Sequence, residues 1–173
     1  MGWNFLSLSD ASNIYESSLT DFDCGDLDVN KFLQDYAQIC EQEDFSKVFL
    51  MVSDEQKVVG YYTLGNSLIP VSEIPNQFKR GIPNFSFPAV LIGQFGINKS
   101  HQGKGLSYLL LGNAYTRIAL AYRQKILAIR AVRVDTRDER AKAFWLKQGF
   151  IPFKKSQNSL FIPLKTILRE FEL

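Results

Sequence analysis

The chain has 173 residues, of which 46% are hydrophobic, and its formal net charge at pH 7 is +2. This length and composition suit one hydrophobic core, so we expect a single domain over residues 1–173. With two cysteines and one histidine, the chain lacks the residues for a disulfide framework or a zinc cluster, and we expect no bound metal. The sequence shows no signal peptide and no run of about 20 apolar residues, so we expect a cytoplasmic protein without membrane contact.

The first third of the sequence contains the patterns of a strand, a helix and a hairpin. Trp3 to Leu8 predicts a short strand, and Asp26 to Glu43 predicts a helix because its apolar residues recur on one side. Ser46 to Ser53 and Lys57 to Leu64 predict two strands joined by Asp54-Glu55-Gln56, which is the pattern of a β-hairpin. A proline-rich segment follows, and we expect it to be irregular.

The remainder of the chain alternates strands and helices. In chain order we predict a strand over Pro88 to Ile97, a helix from Gly105 to about Leu127, a strand over Ala131 to Asp135, a helix from Asp138 to Gln148 closed by Gly149, strands at Phe150 to Phe153 and Leu160 to Ile162, and a helical piece near Ile167. This order predicts an α/β fold of the mixed α+β type, with a central, twisted mixed sheet of about six to seven strands and helices on both faces.

Two glycines between the central strand and the long helix form the most informative motif. Gly103 and Gly105 can adopt positive φ and leave the main chain accessible to a ligand. The helix that follows directs its first N–H groups and the positive end of its dipole at this loop, an environment typical of a bound phosphate or pyrophosphate. Lys99 and Lys104 would add positive charge. The alternative is an ordinary strand-to-helix turn, and the spacing fits neither the dinucleotide fingerprint nor the P-loop.

Charge is distributed unevenly along the chain. Residues 1–55 contain twelve acidic and two basic residues, a balance of −10, which leaves +12 for the remainder. The basic residues concentrate between Arg117 and Lys147. Such a stretch is compatible with a polyanionic partner, although solvated helix faces explain the same pattern.

The glycine loop and a second segment together resemble the acetyl-CoA-binding core of the GNAT N-acetyltransferases. The second segment is Ala141-Lys142-Ala143-Phe144-Trp145-Leu146-Lys147-Gln148-Gly149-Phe150. The resemblance covers roughly the whole chain in order, and it implies a GNAT-like fold in which Gln94 to Leu111 hold the pantetheine arm and pyrophosphate of acetyl-CoA. The cofactor-binding residues implied in this way are Phe95, Gly96, Ile97, Ser100, Gln102, Gly103, Lys104, Gly105, Leu106, Ser107 and Phe144.

A further signature is similar to the GNAT toxins of bacterial toxin–antitoxin pairs. It consists of Phe22-Asp23-Cys24-Gly25, then Leu27, Asn30, Phe32 and Leu33, and later Val59-Gly60-Tyr61-Tyr62-Thr63-Leu64. This resemblance implies acetylation of the α-amine of aminoacyl-tRNA, which blocks translation, and inhibition by a small antitoxin that commonly carries a ribbon-helix-helix domain. In such an enzyme the basic residues that would contact the acceptor include Arg117, Arg123, Arg137 and Arg140.

Two positions depart from the family pattern. Ser100 stands where the loop usually has Arg or Gln, and it retains a backbone N–H. Trp145 stands where the toxins have a tyrosine that acts as general acid for the leaving thiolate. A tyrosine can give the sulfur a proton, whereas an indole can only donate a hydrogen bond to it. We therefore expect weakened catalysis, with Trp145 as a doubtful catalytic residue and Tyr108, Tyr61 or Tyr62 as candidate substitutes. Packing is the alternative role for all of these aromatic side chains.

Other functions and states stay open at this point. The same fold and cofactor serve the acetylation of protein or small-molecule amines, and the substitution at Trp145 also allows a weakly catalytic CoA-binding protein. His101, the single histidine, lies in the glycine loop, and we interpret it as a bystander in the chemistry. The sequence indicates neither which aminoacyl group is acetylated nor whether the protein forms a homodimer.

Overall fold

The computed structural model of the chain describes residues 2–11 and 15–172, with the backbone alone for residues 15–17. Its strands are β1 (Trp3–Ser7), β2 (Lys47–Ser53), β3 (Val58–Ile69), β4 (Phe87–Ile97), β5 (Ala131–Asp135), β6 (Ile151–Pro152) and β7 (Ser159–Pro163). Its helices are α1 (Tyr15–Thr20), α2 (Leu27–Lys31), α3 (Ala37–Gln42), α4 (Leu106–Arg123), α5 (Glu139–Lys147) and α6 (Leu164–Glu170). The strands form a mixed sheet in the order β1-β2-β3-β4-β5-β7-β6, which confirms the predicted fold class.

The sheet combines antiparallel hairpins with a parallel pair. β2 runs antiparallel to β1 and β3, and β7 runs antiparallel to β5 and β6. β4 and β5 run parallel, and their register pairs Ala89 with Ala131 and Leu91 with Arg133. A parallel connection needs a crossover of about a dozen residues or more, and α4 supplies it here.

The chain divides into two compact units, of which the first comprises Met1–Gly65 and Gly93–Thr116. Its core includes the buried side chains of Phe22, Leu33, Val48, Leu50 and Tyr61. The Tyr61 hydroxyl donates a hydrogen bond of 2.6 Å to the carbonyl of Val29, so this buried polar group is satisfied. Gly103 and Gly105 belong to this unit.

The second unit comprises Asn66–Ile92 and Arg117–Leu173. Its core includes Ile69, Ile74, Phe87, Phe153 and Phe161. A polar clamp fixes the proline-rich segment, because the Glu73 carboxylate accepts hydrogen bonds from the backbone N–H groups of Lys155 at 2.8 Å and Ser156 at 3.1 Å. These bonds also lower the pKa of Glu73. The segment that contains Trp145 belongs to this unit.

The helix predicted from Asp26 to Glu43 is present with an internal irregularity. It begins after Asp26, whose carboxylate accepts from the N–H groups of Asp28 at 2.9 Å and Val29 at 3.2 Å, as an N-cap residue does. Between α2 and α3 it passes through a π-helical turn at Phe32–Tyr36. Apolar periodicity tolerates such an extra residue, so the sequence did not reveal it.

Other element boundaries differ from the prediction for local reasons. The predicted strand ending at Leu64 continues to Ile69 as β3. α4 ends at Arg123, short of Leu127, because Lys125 has a φ of 55° and a helix cannot continue through that left-handed conformation. α1 was not predicted, since a helix of six residues shows little periodicity.

Gly60 and Gly65 on β3 provide a matched test of packing in the first unit. A Cβ atom at Gly60 would lie 2.6 Å from Ile97 Cδ1 and 2.9 Å from the carbonyl oxygen of Gly96, whereas one at Gly65 would meet only the carbonyl oxygen of Phe45 at 3.6 Å. We expect Gly60→Ala to lower the free energy of unfolding by about 1–3 kcal/mol, because a backbone carbonyl does not yield as a flexible side chain does. Gly65→Ala should change it by less than about 0.5 kcal/mol. Urea unfolding measures both, and equal midpoints for the two variants would contradict this prediction.

Candidate functional site

The chain makes a tight turn between β4 and α4. A short 3-10 turn at Lys99–His101 is followed by Gly103 and Gly105, each with a φ of 75°. A Cβ atom at either glycine would meet nothing within 4 Å. These glycines are therefore required by backbone conformation and not by crowding, and the space beside them is open.

The N–H groups of this turn form a cluster of available donors. In the described part of the chain, no acceptor is found for the backbone N–H groups of residues 103 to 107, which include the first residues of α4. The N–H of Tyr108 is the next along the chain and bonds to the carbonyl of Gly105 at 3.1 Å. Converging donors at the positive end of a helix dipole are suited to a phosphate group.

Hydrogen bonds hold the residues that lead into this cluster. The N–H of Asn98 donates to the carbonyl of Val59 at 2.7 Å. The side-chain amide of Gln102 donates to the carbonyls of Ile97 and Cys24, both at 2.8 Å, and its backbone N–H donates to Lys99. Gln102 therefore shapes the turn with its donors already used inside the protein.

The end of β4 and the start of the turn are closely packed. Gly96 is buried, and a Cβ atom there would lie 3.2 Å from the sulfur of Cys24 and 3.1 Å from Cγ1 of Val29. Ile97 is buried and Phe95 is half-buried. The N–H of Gln94 bonds to the side-chain oxygen of Thr63 at 2.9 Å, so a side chain replaces a backbone acceptor at this point of β4.

The polar side chains of the turn contact one another. The Ser100 hydroxyl donates to Oδ1 of Asn98 at 2.9 Å and lies 2.8 Å from Nδ1 of His101. Lys104 donates to the carbonyl of Ser100 at 3.1 Å. Burial, and to a lesser degree the charge of Lys104, lower the pKa of His101 and so favour the neutral imidazole. Its ring packs edge-on against Trp3, with centroids 5.8 Å apart.

Trp145 lies on α5 in the core of the second unit. The helix starts at Asp138, whose carboxylate accepts from the N–H of Ala141 at 2.7 Å. The Trp145 side chain is 6% exposed. It packs edge-on against Phe144 and Phe150, at centroid distances of 5.0 and 4.9 Å. Phe144 itself is half-buried.

The three candidate tyrosines differ sharply in exposure. Tyr61 and Tyr62 are fully buried, and their hydroxyls donate to the carbonyl of Val29 and to Oδ1 of Asn113. Tyr108, at the start of α4, is 52% exposed. Of these three side chains, only Tyr108 is accessible to a substrate.

The four arginines assigned to the acceptor lie on two elements of the second unit. Arg117 and Arg123 are on α4, and Arg137 and Arg140 are beside or within the first turn of α5. Arg117 is half-buried, whereas Arg123, Arg137 and Arg140 are exposed. Their exposure suits contact with a polyanion.

Two negative findings concern the described residues. Within residues 2–11 and 15–172, no helix has both the length and the hydropathy to cross a membrane. Over the same ranges, no three His, Cys, Asp or Glu residues are grouped so that they could hold a metal ion.

The mixed sheet and the glycine turn define an α/β protein with a site suited to a phosphate group, and comparison with known families identifies its class. Residues 11–150 match the acetyltransferase (GNAT) family. This match covers most of the chain, and the protein therefore belongs to the GNAT family of acetyl-CoA-dependent N-acetyltransferases. The sequence resemblance is thereby confirmed. The available N–H groups from Gly103 to Ser107 and the open space beside the glycines fit the pyrophosphate of acetyl-CoA.

Curated relatives are similar over most of their length. A probable toxin TacT of Sinorhizobium fredii (strain NBRC 101917 / NGR234) is 28% identical over 153 residues, which are 84% of each chain. A tRNA-acetylating toxin of Mycobacterium tuberculosis (strain ATCC 25618 / H37Rv) is 26% identical over 143 residues, covering 83% of this chain and 81% of the relative.

Solved structures are similar over nearly the whole chain. A tyrosine-to-phenylalanine mutant of KacT has a TM-score of 0.88 and 28% identity, covering 99% of this chain and 100% of that one. AtaT complexed with acetyl-methionyl-tRNAfMet has a TM-score of 0.86 and 28% identity, covering 98% of this chain and 99% of that one. A mutant AtaT toxin bound to the C-terminus of the antitoxin AtaR and acetyl-CoA has a TM-score of 0.81 and 26% identity, covering 99% of both chains.

Gly105 and Gly112 provide a matched test of the glycine turn. Gly105 has positive φ, whereas Gly112 lies inside α4, and a Cβ atom at either would meet nothing within 4 Å. Gly105→Ala should weaken acetyl-CoA binding about tenfold, because alanine resists the left-handed conformation and shifts the N–H groups. Gly112→Ala should leave affinity within about twofold and raise the free energy of unfolding by about 0.5–1 kcal/mol. Calorimetric titration with acetyl-CoA measures the affinities. Equal affinities in both variants would show that the turn does not hold the cofactor.

Proposed function

We propose that the protein transfers the acetyl group of acetyl-CoA to the α-amine of aminoacyl-tRNA and acts as the toxin of a toxin–antitoxin pair in the bacterial cytoplasm. The observation that carries the proposal is the glycine turn, with its free donors placed at the start of α4. The likeness to AtaT bound to acetyl-methionyl-tRNAfMet supports the acceptor, and the tRNA-acetylating relative supports the reaction.

The geometry of the turn and of β4 supports a division of roles between binding and polarisation of acetyl-CoA. The N–H groups from Gly103 to Ser107 would bind the pyrophosphate, with the charge of Lys104 close by. Acetyl-CoA supplies the acetyl group as a thioester. Main-chain N–H groups near Phe95 to Ile97 would polarise the thioester carbonyl, beside the point where Thr63 replaces a backbone acceptor.

The acceptor amine needs little help from a base. A free α-amine has a pKa of about 7.7–8.0, so a useful fraction is neutral near pH 7. A weak base or a water molecule can take up its proton after attack on the carbonyl carbon. His101 contacts Ser100 and Trp3 in the turn, and we assign it no role in this step.

The tRNA would be bound through its phosphates. Arg123, Arg137 and Arg140 are exposed cations in the second unit. Phosphate contacts by arginine supply sequence-independent affinity, which suits an enzyme that recognises a tRNA and not a short sequence. The mutant AtaT bound to AtaR supports an antitoxin partner for this chain, and we propose an antitoxin with a ribbon-helix-helix domain.

The acceptor can be identified directly. Incubation with labelled acetyl-CoA and charged total tRNA should place label on the aminoacyl-tRNA, and alkaline hydrolysis should release an N-acetyl amino acid that mass spectrometry identifies. Deacylated tRNA and free amino acids serve as controls and should stay unlabelled. Transfer to free amines or to a protein, with none to charged tRNA, would contradict the proposed acceptor and favour the alternative GNAT function.

The role of position 145 can be tested with two aromatic replacements. Trp145→Tyr introduces a phenol that can give a proton to the leaving sulfur, so kcat should rise about 10- to 100-fold. Trp145→Phe removes the indole N–H without adding an acid and controls for the packing against Phe144 and Phe150. Steady-state rates with charged tRNA measure both.

Two outcomes of this test are decisive. Equal rates for the tyrosine and phenylalanine variants would place position 145 away from the reacting thioester. No measurable turnover in the wild type, together with strong activity of Trp145→Tyr, would make the natural chain a weakly catalytic CoA-binding protein.

A further inference from the structure

The segment from Phe22 to Gly25, which we name the Asp23 loop, has no role in the function proposed above. It nevertheless contacts the residues that lead into the glycine turn. A Cβ atom at Gly25 would lie 3.2 Å from Cε of Lys99, and one at Gly96 would lie 3.2 Å from the sulfur of Cys24. The Asp23 loop therefore packs directly on the end of β4 and on the 3-10 turn.

Hydrogen bonds connect the Asp23 loop to both ends of this turn. The N–H of Lys99 donates to the carbonyl of Asp23 at 2.7 Å. The Lys99 ammonium donates to the Asp23 carboxylate at 2.8 Å. Further along the turn, Gln102 donates to the carbonyl of Cys24 at 2.8 Å. The residue after Gln102 is Gly103, so the last of these bonds lies next to the proposed phosphate site.

The Asp23 loop is itself rigidly supported. The buried Asn30 side chain donates to the Asp23 carboxylate and accepts from the N–H of Cys24, both at 2.9 Å. The N–H of Gly25 also donates to this carboxylate at 2.9 Å. Asp23 thus joins Asn30, on α2, to Lys99 through one carboxylate.

The charge of Asp23 persists over the whole working pH range. The hydrogen bonds from Lys99 and then Asn30 lower the pKa of Asp23 to about 2. A carboxylate whose pKa is lowered on folding contributes fully to the stability of the fold above its unfolded pKa. This contribution is lost only as the pH falls toward the folded pKa. The ion pair is therefore complete above about pH 4.

We propose that Asp23 is a positioning residue of the acetyl-CoA site, which acts by holding Lys99 and the turn up to Gln102 so that the N–H groups of the glycine turn face the pyrophosphate. This inference rests on the proposed function. Lys99 is then part of the scaffold and not a phosphate ligand. Fixing the donors in advance lowers the entropy cost of binding, so a looser turn binds more weakly without any change at the reacting atoms.

Binding of CoA to a set of charge variants tests the proposal. Asp23→Asn and Lys99→Met should each weaken CoA binding about three- to fivefold, which is the range of an exposed ion pair. The double variant should be no weaker than either single one, because both remove the same contact. Asp44→Asn, which removes the ion pair with Lys47 elsewhere in the first unit, is the matched control and should leave affinity unchanged.

Steady-state kinetics separate positioning from general destabilisation. Asp23→Asn should raise KM for acetyl-CoA by the same factor of about three to five by which it weakens CoA binding. It should leave kcat within about twofold, since the residue touches no reacting atom. An Asp23→Asn variant that binds CoA as well as or better than the wild type, beside a weakened Lys99→Met, would overturn the proposal and make Lys99 a direct phosphate ligand.

The outcome is distinguishable from failure of the proposed function. A wild-type protein that binds CoA without acetylating charged tRNA refutes the proposed acceptor, and the CoA titrations still decide the role of Asp23. A wild type that binds no CoA refutes both.

Discussion

The candidate site depends on a turn whose backbone is held by hydrogen bonds before any ligand arrives. The N–H groups of Asn98 and Lys99 donate to the carbonyls of Val59 and Asp23, each at 2.7 Å. These contacts set the direction in which the chain enters Gly103, and with it the direction of the N–H groups that follow. Donors fixed in this way bind an anion at little conformational cost, which supports the proposal that this short segment binds pyrophosphate with few charged side chains.

Local signals in the sequence were sufficient to predict the glycine turn, but not the long-range contacts that hold it. Residue type alone indicates the positive φ of Gly103 and Gly105, and the apolar pattern on either side indicates the strand and the helix. In contrast, Lys99 bonds to Asp23, which lies 76 positions earlier in the chain, and Gln102 bonds to Cys24, which lies 78 positions earlier. No pattern within one element reveals such partners. From the sequence, both side chains are therefore predicted to lie at the ligand, whereas in the structure they donate hydrogen bonds within the protein.

Aromatic residues show a second limit of sequence patterns. Tyr61 and Tyr62 are consecutive on β3, so they point to opposite faces, and yet both are fully buried. β3 lies between β2 and β4 in the sheet, and both of its faces are covered at this point. Both hydroxyls already donate within the protein, to the carbonyl of Val29 and to Oδ1 of Asn113. These hydrogen bonds argue against Tyr61 and Tyr62 as the general acid, and residue type alone could not show them.

The chemistry tolerates the loss of a general acid better than the loss of cofactor binding. A cysteine-like thiol has a pKa of about 8.5 and can leave as a thiolate near neutral pH. A positioned acid contributes about 10² to 10⁴ in rate, whereas holding two reactants in reactive geometry contributes an effective molarity of about 10⁵ to 10⁸ M. In the proposed mechanism the larger factor rests on backbone groups around Gly103 and Gly105, which do not depend on the side chain at position 145. A GNAT enzyme with Trp145 is therefore expected to be slow and not inactive.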